Sequence, residues 1–138
     1  MIRALIALLL VLAAPAAAQI REFNCVGAGQ LEDDSFAVSF AARADVLGED
    51  ARSPLRAAAD LAAASPARNI CVLGHALASE GGATTGARLA ARRARAVALE
   101  LSQLGVERDR VRAEARVTGF TRSTAARPGR GATFVILP

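Results

Sequence analysis

The segment from Asn69 to Thr118 restricts the fold more than any other part of the chain. "NICVLGH", residues 69–75, is apolar between polar ends, as a strand covered on at least one face would be. "RVRAEARVT", residues 110–118, alternates strictly. Val111, Ala113, Ala115 and Val117 share one face, while Arg112, Glu114, Arg116 and Thr118 share the other, so one face should be packed and the other wet. Between the two lies a helical stretch, about Ala87 to Leu104, that Gly105 is placed to close. A strand, a helix and a second strand form a crossover unit, which favours a right-handed connection and parallel pairing.

The flanking segments extend this pattern. "SFAVSF", residues 35–40, puts Phe36, Val38 and Phe40 on one face of an earlier strand. A helix follows, with Leu55, Ala58, Leu61 and Ala62 along one side and Ser65-Pro66 as its stop. Ser53 with Pro54 marks its start, although Asp50 could cap an earlier one. After the loop "GFTRSTAARPGRG", residues 132–137 ("ATFVIL") read as a last strand. The order is strand, helix, strand, helix, strand, loop, strand. The expected fold is an α/β two-layer sandwich, with a small mixed four-stranded sheet and two main helices on one face. The final two strands, joined without a helix, are expected to run antiparallel.

A chain of 138 residues has room for one such domain. Residues 1–18 stand apart from it: a basic start at Arg3, the apolar run "ALIALLLVLAA" and small residues ending at Ala18 make a secretory signal peptide. Residues 19–34 form a polar lead-in, with room for a short edge strand near Cys25, and 35–138 form the domain. Cys25 follows Glu-Phe-Asn rather than small residues, which argues against lipid attachment. Cleavage would leave no membrane span.

Removing Arg3 from the 17 basic residues leaves 16 against 13 acidic, all the basic ones being arginine. That excess is too small and scattered for nucleic acid, and five phenylalanines without Trp or Tyr offer no base-stacking platform. Two cysteines, Cys25 and Cys71, are either bridged or separate thiols, and an oxidising compartment favours the bridge.

The second helix carries the site question. Arg88, Arg92, Arg93 and Arg95 crowd its expected start, where each would oppose the helix dipole by ~0.3–1 kcal/mol unless an anion were near. At 100° per residue, Ala90, Ala94, Val97, Leu101 and Leu104 form the core face. Arg88, Arg92 and Arg95 fall opposite as a solvated stripe. Arg93 lands at the border, directed toward the loop after His75. A border arginine either snorkels or holds a carboxylate bidentately.

The run from "CVLGHA" through the glycine-bearing loop to "LAARRARAVALELSQLGVERDRVRAEARVTGF" resembles the OmpA-like domain, the peptidoglycan-associating module of bacterial envelopes. Gly74-His75, Leu89 with Arg92-Arg93-Ala94, and Leu104-Gly105-Val106 carry the likeness, which covers about Ser35 to Pro138. In that family a loop carboxylate holds the ammonium of a diaminopimelate side chain and a helix arginine holds its carboxylate. The resemblance carries the arginine to Arg93. The aspartate does not carry over, since Leu77 stands in its place, and the family asparagine falls near Gly86. Glu80, the one acid of the loop, is a candidate to substitute for that aspartate if an extra loop residue swings it inward; the alternative is that it is merely exposed. His75 would shape the pocket.

The resemblance implies a periplasmic, non-enzymatic domain, with outer-membrane association left open. It would need no cofactor and no metal, because the single histidine lacks partners for a metal site or triad. Its partner would be peptidoglycan, held weakly or in altered form through the partly degenerate site. The alternative is an envelope protein, if peptidoglycan binding has been lost.

Overall fold

The computed structural model describes residues 21–117 and 129–138. The expected signal peptide and most of the loop before the last strand lie outside the described residues. Four strands and two main helices appear in the expected order: β1 (Ser35–Ser39), α1 (Arg52–Ala64), β2 (Ile70–Ala76), α2 (Gly82–Gln103), β3 (Val111–Val117) and β4 (Gly131–Ile136).

The strands lie in the order β1-β4-β2-β3. β2 and β3 pair in parallel, with Ile70 opposite Val111 and Ala76 opposite Val117, as the crossover through α2 requires. β4 pairs antiparallel with both β1 and β2. β3 and β4 thus run in opposite directions, as expected, but they are not partners, because β2 lies between them. The interior positions go to the two continuously apolar strands: every residue of β2 and of β4 is buried. A strand with both faces covered belongs in the middle of a sheet, and the alternating strands fall to its edges.

One face of the sheet carries the main core. Leu55, Ala58 and Ala62 of α1 and Ala94, Val97 and Leu101 of α2 pack on Val38, Val72, Phe134 and Ile136. Phe36 stacks on Phe134 with centroids 5.7 Å apart. α2 presses so closely on β2 that a Cβ at Gly74 would lie 1.8 Å from the Ala90 carbonyl oxygen, so only glycine fits there.

Both helix starts differ from expectation. α1 continues from a 3-10 turn at Glu49–Ala51, so Ser53 lies inside the first turn and caps nothing. Pro54 is tolerated there because first-turn N–H groups have no intrahelical acceptor. α2 begins at Gly82, so the glycine-rich stretch belongs to the helix. The arginines therefore lie beyond the first turn, where the dipole effect has faded. Its end is as expected. Gly105 takes φ +99° and donates to Ser102 O, while Val106 N–H donates to Leu101 O, the paired bonds of a Schellman motif.

The lead-in forms no strand at Cys25. It runs over the sheet face opposite the helices, where the Cys25–Cys71 disulfide joins it to β2 with Cα atoms 5.7 Å apart. Cys25, Ala28, Cys71 and Leu73 make a second buried cluster. The polar face of β3 is correspondingly less wet than expected. Glu114 bridges Arg112 and Arg116, and these arginines donate to Phe23 O and Cys25 O of the lead-in.

Candidate functional site

Three segments converge at the C-terminal end of β2: the turn Ala41–Ala44 after β1, the 3-10 turn Ala78–Glu80 after β2, and the second and third turns of α2. Arg93 stands at their meeting point and is 0% exposed, deeper than a snorkelling arginine at a helix border. A guanidinium has five N–H donors. Here Nε donates to Ala44 O at 2.8 Å, Nη1 to His75 O and Glu80 Oε2 at 2.9 Å each, and Nη2 to Ala41 O at 3.2 Å and Glu80 Oε1 at 2.7 Å. All five are used. The Phe40 ring lies against the guanidinium, its centroid 5.3 Å from Cζ, within cation–π range.

Glu80 is equally enclosed. Of the two expectations, swung inward or merely exposed, the structure has the first: the residue is 5% exposed and faces inward. Oε1 also accepts from Arg43 N–H at 2.9 Å, and Oε2 from Leu77 N–H at 2.8 Å. With the two arginine bonds, these fill the roughly four lone-pair sites of a carboxylate. The side chain reaches back to the N–H three residues earlier, as the glutamate of a capping box does. The Arg93 hydrogen bond is the largest influence on its acidity, and together with the two backbone donors it outweighs burial. The carboxyl is lowered from 4.5 to about 2. This is a buried, bidentate, fully satisfied ion pair.

The pair also explains its surroundings. Arg43 has φ +59°, uncommon for a residue with a side chain, yet its turn supplies two carbonyls to Arg93 and one N–H to Glu80. His75 is buried, and its backbone carbonyl enters the cradle. Leu77, where the resemblance leads one to expect an acid, is half-buried with its side chain against Gly129. A Cβ on Gly129 would come within 2.3 Å of Leu77 Cδ2. Gly86, at the family asparagine's position, is buried near the Leu77 carbonyl. Arg88, Arg92 and Arg95 are exposed as expected.

Arg93 and Glu80, both candidates from sequence, are thus brought together, but as partners of each other. Phe40 and the carbonyls of Ala41 and Ala44 were missed, and backbone acceptors leave no mark in a sequence. Among the described residues no three His, Cys, Asp or Glu side chains gather as a metal site would need. No described helix is long and apolar enough to cross a membrane.

A mixed four-stranded sheet with two helices on one face, and an arginine on the second helix aimed at the end of the strand before it, defines an OmpA-like α/β domain. The family model described as "OmpA family" matches residues 39–130, and the chain belongs to that family. Among solved structures it is similar to the OmpA-like domain of FopA1 from Francisella tularensis subsp. tularensis SCHU S4, with TM-score 0.62 and 19% identity over 78% of this chain and 77% of that one. It is also similar to the peptidoglycan-associated lipoprotein from Burkholderia pseudomallei, with TM-score 0.60 and 20% identity over 73% and 88%. The cell wall anchor of the T6SS from Pseudomonas aeruginosa aligns with TM-score 0.58 and 18% identity over 75% and 80%. These likenesses concern the fold. Among curated proteins none matches the chain.

Proposed function

We propose that this protein is an exported, non-enzymatic domain of the bacterial cell envelope in which the family's peptidoglycan clamp is closed from within. It acts in the periplasm as a structural or protein-interaction module, without gripping diaminopimelate through Arg93. The observation that carries this reading is the use of all five Arg93 N–H groups by the chain itself, two of them by Glu80. A ligand carboxylate would have to displace a bidentate partner that already has its full set of donors. No acid at position 77 waits for an ammonium.

A second reading keeps peptidoglycan as the partner, through displacement of Glu80. It is favoured by membership of the family and by the flanks of the Glu80 turn, where Gly81 and Gly82 both have positive φ and give the backbone freedom to rearrange. Co-sedimentation of the mature protein with insoluble peptidoglycan, at low and high salt, separates the two. The closed-clamp reading predicts only retention that salt removes, as for a mildly cationic protein on an anionic polymer. Salt-resistant retention that a free diaminopimelate-containing stem peptide competes away would establish the second.

A further inference from the structure

The solvated stripe of α2 has a feature that the clamp does not absorb. Arg92, Arg95 and Leu99 follow at spacings of three and four, so they share one outward face of the helix. Leu99 is 53% exposed, with Val26 and Val46 one of three exposed large hydrophobic residues among those described, and the one that lies on a helix. Beside it runs a groove of about 550 Å³ between α2 and the start of the edge strand β3, floored by Ala96, Leu99 and Val111 and rimmed by Arg92, Arg95 and Arg108.

The charge around this groove is lopsided. Asp45 is the one acid lining it, and it pairs with Arg92 at 3.0 Å. Among the described residues Arg108 reaches only the neutral Ser102 hydroxyl, at 3.3 Å. Arg95 has no acid three or four residues away on its helix, where a solvated helix face commonly places one. On the outer face of β3 the opposite holds, since Glu114 partners both Arg112 and Arg116.

We infer that this groove is a docking site for an acidic protein segment carrying an apolar anchor: an aliphatic side chain seats on Leu99 and Val111 while flanking carboxylates meet Arg95 and Arg108. An apolar floor under a cationic rim is complementary to such a segment in both shape and charge. The apolar part of the lining is confined to Ala96, Ala98, Leu99 and Val111, enough to seat single side chains, whereas a lipid surface would call for a broad apolar face. The inference goes beyond the closed-clamp reading and stands on different residues, so either can fail alone.

The test is fluorescence anisotropy of the mature protein with a labelled peptide of alternating glutamate and leucine. Wild type should bind it. Arg95→Glu should weaken binding about tenfold or more, by exchanging attraction for repulsion at the rim. Leu99→Ser, a change at an exposed position that leaves the core intact, should weaken it severalfold. Arg88→Glu, on the same stripe but outside the groove, should leave it within about twofold. The inference is overturned if Arg88→Glu and Arg95→Glu act alike, or if a peptide with serine in place of leucine binds as tightly. It is equally overturned if the peptide fails to bind while vesicles containing phosphatidylglycerol sediment the protein, which would make lipid the partner.

Discussion

Among the described residues two arginines are buried, one at each end of β2, and they are stabilised in different ways. Arg110 is 1% exposed just before β3. It donates to Arg68 O, Ala62 O and Ser65 O, closing the C-terminal end of α1 where the dipole favours a cation. Its one carboxylate partner, Glu107, is 59% exposed. Arg93 has a similar cradle of three carbonyls, but its carboxylate is as buried as it is. Carbonyl dipoles and a solvent-facing glutamate are enough for an arginine that stitches elements together. The added buried glutamate occurs at Arg93, the position to which the family resemblance carries its ligand-holding arginine. On the closed-clamp proposal that difference is the mark of Glu80 as the internal occupant of the clamp, whereas Glu107 is a surface partner.

The sharpest way to break this comparison is to remove each arginine. Arg93→Met leaves the Glu80 carboxylate buried without its partner, and should cost about 3–5 kcal/mol in urea denaturation. Adding Glu80→Gln should recover a large part of that loss, giving a strong coupling in the double-mutant cycle. A coupling near zero would mean that the pair is not the unit described.

Acid titration should give the next effect. The Glu80 carboxyl titrates near 4.5 when unfolded and at about 2 in the fold, so its contribution is complete above pH 4.5 and disappears as the pH falls toward 2. The loss is on the order of 3 kcal/mol, and Glu80→Gln should flatten the stability profile across that window. Arg110→Met should cost about 1–3 kcal/mol, the scale for leaving buried carbonyls unsatisfied. Glu107→Gln should produce the smallest change. The Arg110 hydrogen bond holds that carboxyl below its usual range, but the group is open to water, and the midpoint of unfolding should barely move.

Much of the fold was legible because its signals are local. The alternation of "SFAVSF" and "RVRAEARVT" against the continuous runs "NICVLGH" and "ATFVIL" distinguishes edge from centre in the finished sheet. Gly105 marked the end of α2 for a stated backbone reason. Strand order was not legible, because nothing in the sequence before β4 says that this strand pairs with β2 on the side away from β3. The start of α2 was hidden by "GGATTG", a composition that reads as loop but is helical here under tertiary packing. At the site, the helical wheel separated Arg93 from its stripe correctly. The orientation of Glu80 was not legible because Leu77, at its turn's N-cap, lacks the hydroxyl that completes a capping-box signature.

The most direct test of the closed clamp watches the two backbone amides that donate to Glu80. Proton–nitrogen NMR of the mature protein, titrated with a diaminopimelate-containing stem peptide, should show Arg43 and Leu77 N–H unmoved to millimolar ligand, as long as Glu80 keeps its place. Saturable shifts at both amides, together with a change at the Arg93 Nε–H, would show the glutamate displaced by a ligand carboxylate and would contradict the account.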